Sequence, residues 1–447
     1  MKKWICLILC LLTLTSFTLV LVQQYEQPFE MKPLKGYTTQ VDKPELTFSS
    51  FASGEYQNNI EQYIRNNFGF REFFIRVYNQ YIYSCYHEVN NSHVREGANH
   101  ELFLKMYLDD ITGVRLLAYY PDIDSAKAAA RANVEATLTL IDSLHSHGTD
   151  FLFVFAPSKT AVYPEWMPEK YQRQVSDFSL EEYYIQLFQE NNLPYIDFLS
   201  YFRSIKNSFP YPLYTRTGTH WSEATIPMVA DSILRKLEEV SGYSLPSINY
   251  IDTNLTTDYS VQDGELESTM NLLFPLRKPA VPKPLFALTD TLGKDHPNLL
   301  VIGDSYFVQL LNSCFVDAFH DWDYWQYNRE TVSSRKAYSG KELRYLVESP
   351  EILRGADIVM AIFTAPCLCN YMYGFHQSAP ELYTRDPATD EAFIQATMER
   401  IQGNEKWLQA VERQAEELGL TIEENLRRNA IYVINQDKMK HPESTQP

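Results

Sequence analysis

The sequence predicts an α/β protein with a mostly parallel sheet and helices on both faces. Three short apolar runs, Phe151–Phe155, Leu299–Ile302 and Ile358–Phe363, have the pattern of strands that are buried on both sides. Helical patterns alternate with these runs, which is typical of parallel α/β domains. Ligands of such folds bind at the carboxyl ends of the strands, so we expect the functional site at that edge of the sheet.

Helices are expected between the strands. Over residues 125–147, apolar side chains recur on one face of a helix. Ser179 and Glu182 have the spacing of a capping box at the start of the next helix. A further helix is expected over residues 222–240. Residues 243–297 are rich in Pro, Asp and Thr, and they predict a long irregular insertion within the domain.

The 447 residues allow this domain to carry extensions at both ends. Pro-punctuated polar sequence follows the first apolar run, and helical patterns precede and follow the domain. The predicted divisions are a signal anchor over 1–24, a tether over 25–50, a helical lead-in over 51–120, the α/β domain over 121–385 and a helical C-terminal segment over 386–447.

The N-terminus has the features of a membrane anchor. Lys2 and Lys3 precede the uncharged run Trp4–Val22, which as a helix is about 28 Å long and close to the thickness of a bilayer core. The two lysines favour the cytoplasmic side, which places the rest of the chain outside. A cleaved signal peptide is the alternative, although no A-x-A-like site precedes Gln23.

Composition excludes several classes of protein. A hydrophobic fraction of 45% can form a core, so a disordered chain is excluded. The net charge of −18 repels phosphate backbones and argues against nucleic-acid binding. Of the six cysteines, Cys6 and Cys10 lie in the apolar run, and we expect the others to be structural thiols. Cys367 and Cys369 have no partners at the spacing of zinc ligands, so no metal site is expected there.

The first candidate motif is Gly303-Asp304-Ser305, directly after a predicted strand and before a predicted helix. A serine in such a turn exposes its hydroxyl at the carboxyl edge of the sheet, and nearby N–H groups can receive a developing oxyanion. The tripeptide is a weak signal by itself, but its place between a strand and a helix strengthens it. The alternative is that Asp304 or Ser305 only caps the helix.

The second motif runs from Arg216 to Ser222, again in a small-residue turn before a helix. A serine nucleophile needs a base within hydrogen-bond reach, and histidine is the usual base near neutral pH. Of the ten histidines, His220 alone lies in such a turn. A histidine in a turn also occurs for structural reasons, so the prediction depends on the two motifs together.

Together the motifs resemble the alginate O-acetyltransferases of the AlgX/AlgJ group, which are membrane-tethered SGNH-hydrolase-like proteins. His220-Trp221 precedes Gly303-Asp304-Ser305, as in the permuted order of that family. Residues 54–71 look like the family's helical lead-in, and residues 155–164 look like its loop after a core strand. The resemblance implies an SGNH-like fold with Ser305 as nucleophile and His220 as base. Gly303, Asp304 and Arg216 lie beside these two residues in sequence and are our candidates for oxyanion or supporting roles.

The resemblance also implies a function. In the family, acetyl groups are transferred to hydroxyls of an exported polysaccharide, usually from a donor relayed by a multi-pass membrane O-acyltransferase. No metal or nucleotide cofactor is implied. An acetyl esterase would use the same two residues with water as the acceptor, so the sequence leaves both reactions open. A non-catalytic glycan-binding or assembly subunit is the third possibility.

One position departs from the family motif, which has Asp two residues before the histidine. This chain has Gly218 there. A triad carboxylate holds the imidazole in the correct tautomer, and its loss in a serine protease costs roughly 10⁴ in turnover. Three explanations are open: a backbone carbonyl orients His220, another carboxylate such as Glu223 or Asp304 does so, or the site is inactive.

Four further residues are weaker candidates. Lys159 follows a strand and is placed to meet an anionic substrate, although a solvated loop lysine fits the pattern too. Arg216 is a candidate for binding a uronate as well as a structural ion pair. Asn370 and Tyr371 follow the strand Ile358–Phe363, where polar and aromatic side chains can contact sugars.

Overall fold

The computed structural model describes residues 2–36, 41–336, 339–343, 348–384 and 387–440. Parts of the predicted tether and of the C-terminal segment therefore lie outside the described residues. Strands within this range are β1 Val94–Glu96, β2 Leu102–Leu104, β3 Asp150–Ala156, β4 Tyr195–Asp197, β5 Ser247–Thr256, β6 Val281–Thr289, β7 Leu299–Gly303, β8 Trp322–Gln326, β9 Glu330–Ser333 and β10 Ile358–Thr364.

Helices precede, connect and follow these strands. The described α-helices are α1 Lys2–Glu26, α2 Phe48–Ala52, α3 Glu55–Asn67, α4 Arg71–Tyr86, α5 Lys105–Ile111, α6 Val114–Tyr119, α7 Ile123–Ser146, α8 Lys159–Val162, α9 Glu169–Gln172, α10 Leu180–Glu190, α11 Phe198–Ile205, α12 Ile226–Ser241, α13 Glu265–Met270, α14 Phe307–Leu311, α15 Ser349–Arg354, α16 Phe375–Thr384, α17 Pro387–Gln402, α18 Glu405–Leu418 and α19 Ile422–Lys440.

The central sheet confirms the predicted fold class. Its strand order is β4-β3-β10-β7-β8-β9, and every pair is parallel except β8 with β9 at one edge. The three apolar runs form β3, β7 and β10 at the centre of the sheet, which explains why they are apolar on both sides. One core packs α11, α12 and α14 on the first face, and a second core packs α7, α10 and α16 on the other.

Local sequence signals locate the starts of the helices in this domain to within a few residues. Ser179 accepts a hydrogen bond from the Glu182 N–H at 3.3 Å, and α10 begins at the next residue. The helix expected over residues 222–240 begins later, at Ile226, because Pro227 has no N–H and fits only the first turn. A short 3₁₀ helix, Glu223–Thr225, occupies the residues before Ile226 that were expected to be α-helical.

The segment 243–297, which we call the insertion, is not irregular as predicted. β5 and β6 form an antiparallel ribbon within it, and α13 lies between these strands in sequence. Most of β5 faces solvent, so it lacks the apolar alternation by which a half-buried strand is predicted. The lead-in also differs from the prediction, because the hairpin β1–β2 follows its helices.

Helices form the first and the last parts of the described chain. α1 is long and apolar enough to cross a membrane, with a mean hydropathy of 2.7 over its most apolar window. The opposite end packs α17, α18 and α19 around a small core of its own. Both observations agree with the sequence, while the retention of the N-terminal segment as an uncleaved anchor stays a prediction.

Candidate active site

The serine motif lies where β7 ends, in a turn over residues 303–306 that we call the serine turn. The buried Asp304 carboxylate fixes this turn, since it accepts hydrogen bonds from the Thr364 N–H and Oγ1–H, each at 2.7 Å. It also accepts the Tyr306 N–H at 3.0 Å. Asp304 therefore ties the serine turn to the end of β10, and its two carboxylate oxygens are bonded to Thr364 and Tyr306 rather than to His220.

Gly303 allows the serine turn to pass close to the neighbouring strand. A Cβ at this position would lie 2.6 Å from Ile362 Cγ2 and 3.0 Å from the Ile362 carbonyl oxygen. The Gly303 carbonyl accepts the Tyr327 N–H at 2.8 Å, which fixes the turn to the end of β8 as well. The role of Gly303 in the structure is thus one of close packing.

His220 lies at the end of a turn over residues 215–220, which we call the histidine turn. Lys159 binds the backbone of this turn, because its Nζ donates to the carbonyls of Thr215 at 2.8 Å and Arg216 at 3.2 Å. Nζ also donates to the Leu102 carbonyl at 3.0 Å and pairs with Glu101 Oε2 at 2.9 Å. The Lys159 side chain is buried, and this burial lowers its pKa.

The two turns bring the predicted nucleophile and base together. Ser305 Oγ lies 2.9 Å from His220 Nε2, although the residues are 85 positions apart. The Tyr306 ring packs on the imidazole with centroids 4.7 Å apart, and its hydroxyl donates to the Thr219 carbonyl at 2.8 Å. His220 is 8% exposed and Ser305 is half-buried, so the serine hydroxyl is the more accessible of the two.

A carboxylate that the sequence did not single out contacts the other imidazole nitrogen. Glu265 Oε1 lies 2.8 Å from His220 Nδ1, and the same oxygen accepts the Thr219 N–H at 2.8 Å. Glu265 is the first residue of α13 in the insertion. The sequence suggested Glu223 for this contact. In the structure, the Glu223 backbone N–H donates to Asp263 Oδ1 at 3.3 Å, and His220 Nδ1 is bonded to Glu265. No fixed spacing links Glu265 to either motif, so a sequence pattern could not have identified it.

Ser305 and His220 open onto a cleft of about 790 Å³. One wall comes from α4 and the residues that follow it, and another comes from α13. Asparagine amides join these walls: Asn79 Nδ2 donates to the Met270 carbonyl at 2.9 Å, and Asn91 Nδ2 donates to the Thr269 carbonyl at 3.0 Å. The cleft is therefore formed jointly by the α/β domain, the lead-in and the insertion.

Tyr327 is a second residue of the cleft that the sequence did not indicate. It follows β8, has a left-handed backbone with φ 52°, and lines the cleft beside Ser305. Burial raises the pKa of its hydroxyl, which hydrogen-bonds Ser305. A non-glycine residue in this conformation costs energy and is often found near functional sites.

The weaker candidates lie away from the cleft. Lys159 is buried against backbone carbonyls, which contradicts the expected contact with an anionic substrate. Tyr371 is buried, with its hydroxyl 3.0 Å from Thr137 Oγ1, and Asn370 Nδ2 donates to the Tyr119 hydroxyl at 3.1 Å. Arg216 is not among the described residues that line the cleft, and its Nη1 donates to the Arg277 carbonyl at 3.5 Å; its role at an oxyanion stays a prediction.

The structure also shows the state of the cysteines and the position of a cluster of His and Glu side chains that are of the type that binds metals. Each of the six cysteines is a free thiol, and burial raises the pKa of Cys367 and Cys369. Within the described part of the chain, His87, Glu96 and His100 form the one group of three such ligands whose donor atoms lie within 4.8 Å of one another. This group does not include Ser305, His220 or Glu265.

Comparison with known families gives a match over the part of the chain that carries both motifs. Residues 118–308 match the family described as "SGNH hydrolase-like domain, acetyltransferase AlgX". The predicted resemblance and the SGNH-like α/β fold are thereby confirmed, and the match supports an SGNH-type O-acetyltransferase. A search of the curated proteins gave no match.

Several solved structures match this chain at low sequence identity and low TM-score. The O-acetyltransferase domain of Pseudomonas putida AlgJ is 15% identical, with a TM-score of 0.37 over 64% of this chain and 99% of that one. Pseudomonas aeruginosa AlgX is also 15% identical, with a TM-score of 0.42 over 66% and 69% of the two chains. Bacillus cereus PatB1 with a sulfonyl adduct is 11% identical, with a TM-score of 0.34 over 56% and 93%.

Proposed function

We propose that this protein transfers acetyl groups to hydroxyls of an exported polysaccharide through an acyl-enzyme on Ser305. The observation that carries the proposal is the 2.9 Å distance between Ser305 Oγ and His220 Nε2 at the wall of a cleft. A serine with an imidazole at hydrogen-bond distance is the arrangement that nucleophilic acyl transfer requires. The match of residues 118–308 to an acetyltransferase family supports the same reaction class.

The reaction has two half-reactions. In the first, His220 Nε2 takes the proton of Ser305 Oγ while this oxygen bonds to the acetyl carbon of the donor. The bond from this carbon to the leaving group then breaks, and the imidazolium returns the proton to the leaving group. In the second, a sugar hydroxyl gives its proton to His220 while its oxygen bonds to the acetyl carbon. The bond from this carbon to Ser305 Oγ then breaks, and the imidazolium returns the proton to Oγ, which restores Ser305 and neutral His220.

The proposal includes a location and a source of acetyl groups. α1 serves as an uncleaved anchor, and the domain lies outside the cytoplasm. Lys35 and Gly36 line the cleft only a short distance after α1 ends at Glu26, which supports a cleft near the membrane. A multi-pass membrane O-acyltransferase could deliver the donor at such a position.

A carbohydrate acetyl esterase is the second candidate. Ser305 is half-buried rather than sealed, so water has access to the hydroxyl in the free protein. The same two residues would then hydrolyse the acyl-enzyme instead of passing the acetyl group to a sugar. The two reactions differ in whether bound acceptor excludes water from the cleft.

A burst experiment with the detergent-solubilised full chain tests the proposal. A chromogenic acetyl ester should release about one equivalent of product rapidly, and mass spectrometry should locate one acetyl group on Ser305. Ser305→Ala should lose at least about 10³-fold in rate, because nothing replaces the nucleophile. Ser208→Ala, which removes an exposed hydroxyl, is the matched control.

The acceptor separates the two enzyme reactions. Oligosaccharides of alginate and of a neutral glucan serve as probes, with acetylated sugar measured by mass spectrometry. Acetylated sugar that depends on Ser305 supports the transferase, whereas release of acetate unaffected by either sugar supports the esterase. Ser305→Ala with normal turnover and no acetyl-serine would exclude both.

A further inference from the structure

The insertion places a carboxylate on the side of His220 that faces away from the nucleophile. Glu265 Oε1 is 2.8 Å from His220 Nδ1, while Ser305 Oγ is 2.9 Å from Nε2. The same carboxylate oxygen accepts the Thr219 N–H at 2.8 Å. Glu265 therefore contacts both the imidazole and the backbone beside it, and it holds the Nδ1 side of the ring while Tyr306 packs on its face.

Gly218 shows why the carboxylate does not come from the histidine turn itself. A Cβ at position 218 would lie 2.7 Å from Thr215 Oγ1 and 2.8 Å from the Gln262 carbonyl oxygen. The backbone of the insertion thus fills the space where a side chain at 218 would begin. An aspartate at position 218 would therefore clash with the insertion backbone in its present path.

Hydrogen bonds hold the insertion on the histidine turn. The hydroxyls of Thr215 and Thr217 donate to the Asp263 carbonyl at 2.6 Å and 2.9 Å. The Leu266 N–H donates to the Thr217 carbonyl at 2.9 Å. These contacts flank Glu265 in sequence, so the start of α13 has little freedom to move the carboxylate away from His220.

The far end of α13 is fixed by the tether and the lead-in. The Asn271 amide exchanges two hydrogen bonds with the Lys35 backbone, at 2.8 Å and 2.9 Å. Asn79 of α4 donates to the Met270 carbonyl at 2.9 Å. α13 is thus held at both ends, and the position of Glu265 is set by three separate parts of the chain.

We propose that Glu265 is the positioning carboxylate of this site and that it replaces an aspartate at position 218. It keeps the proton of neutral His220 on Nδ1, which leaves Nε2 free to accept the Ser305 proton, and it stabilises the imidazolium that forms. The insertion is therefore part of the catalytic unit. This inference rests on the proposed acyl transfer at Ser305.

Glu265→Gln tests the role directly, with the chromogenic acetyl ester as substrate. We expect kcat to fall by about 10²–10⁴-fold and KM to change by less than about 3-fold, because this carboxylate, although it lies in the wall of the cleft, is bonded to His220 and to the Thr219 N–H and acts through the imidazole. Glu265→Asp should recover part of kcat, whereas Glu223→Gln, the matched control, should stay within about 3-fold of the parent.

A spectroscopic readout separates this inference from the proposed function. A hydrogen-bonded Nδ1–H gives a downfield proton NMR signal, which should be present in the parent and in inactive Ser305→Ala but absent in Glu265→Ala. If the signal and kcat are unchanged in Glu265→Gln while Ser305→Ala is inactive, the inference is wrong and the proposed function stands. If Ser305→Ala is fully active, the proposed function fails, whatever the NMR signal shows.

Gly218 provides an independent test of the replacement. Gly218→Asp in the Glu265→Ala background should not restore activity, because the new side chain meets the insertion backbone. Recovery to the parental rate would show that the two carboxylates are interchangeable and would overturn the structural reason given for Gly218. Thermal unfolding of each variant checks that a loss of rate is not a loss of folded protein.

Discussion

The serine turn and the histidine turn meet at one hydrogen bond but are supported in different ways. The serine turn is fixed by its neighbours in the sheet, because Asp304 binds the end of β10 and Gly303 binds the residue after β8. The histidine turn lies outside the sheet hydrogen bonding. It is held by the hairpin at Leu102, by buried Lys159 and by the insertion.

This difference shows how the two proposed catalytic residues depend on the rest of the chain. A turn at the end of a parallel strand takes its place from the sheet, so few contacts outside the sheet are needed. A turn without that support needs polar contacts from several segments, and each contact satisfies a backbone group that would otherwise be buried without a partner. Variants that remove one support at a time should therefore affect the two turns differently.

The largest effect on stability is expected for Lys159→Met, which tests the histidine turn. The substitution leaves Glu101 without its cation and several buried carbonyls without a donor, and we expect a loss of about 3–5 kcal/mol in the free energy of unfolding. Urea unfolding measures it. Lys170→Met, at an exposed lysine, should change stability by less than about 0.5 kcal/mol.

Restoring charge balance sharpens this prediction. In the double variant Lys159→Met/Glu101→Gln, the unpaired buried charge is gone, so part of the lost stability should return. If Lys159→Met unfolds at the same urea concentration as the parent, the histidine turn does not depend on the ammonium and the comparison between the two turns fails.

Asp304→Ala should have the next largest effect, and it tests the serine turn. Three donors from Thr364 and Tyr306 lose their common acceptor in a buried position, which should cost about 2–3 kcal/mol. Activity should fall as well, because the turn that carries Ser305 loses its tie to β10. Asp317→Ala removes an exposed carboxylate nearby and should leave both quantities unchanged.

The same contrast explains how much of the site the sequence could predict. The apolar strand before Ser305 and the turn that follows it are adjacent in sequence, so a local pattern was enough to locate the nucleophile. His220 was identified by its residue type and turn, and the pairing of the two followed from the family order. Glu265 comes from a segment with no apolar period or recognisable motif, and its approach to His220 exists only in three dimensions.

The fold likewise has parts that the sequence predicted and parts that it did not. Strands buried on both faces are visible as apolar runs, so the local sequence alone predicted β3, β7 and β10. The ribbon of the insertion faces solvent on much of its surface, and no burial pattern distinguishes it from a loop. Lys159 was misplaced for a related reason, because a lysine after a strand is usually solvated and only the carbonyl cluster around it shows otherwise.

The smallest of these stability effects is expected for Asp263→Asn, which tests the electrostatics of the histidine turn. Burial, with Glu223 nearby, raises the pKa of Asp263 from 3.8 to about 7. The folded state therefore binds this proton more tightly than the unfolded state, and stability falls as pH rises from about 4 to about 7. Asp263→Asn should gain about 1–2 kcal/mol at pH 8 and nothing at pH 4, measured by urea unfolding at both pH values.

Asp110→Asn separates a general effect of burial from an effect on His220. Burial also raises the pKa of Asp110 to about 7, so its variant should show the same gain in stability at pH 8. Asp263 interacts electrostatically with His220, because an ionised Asp263 favours the imidazolium. On the acid side of the activity profile Asp263 is already largely protonated, so Asp263→Asn should change activity only above about pH 7, and Asp110→Asn should leave activity unchanged at every pH. Equal changes in activity above pH 7 in both variants would show that the histidine turn has no electrostatic support of its own from the insertion.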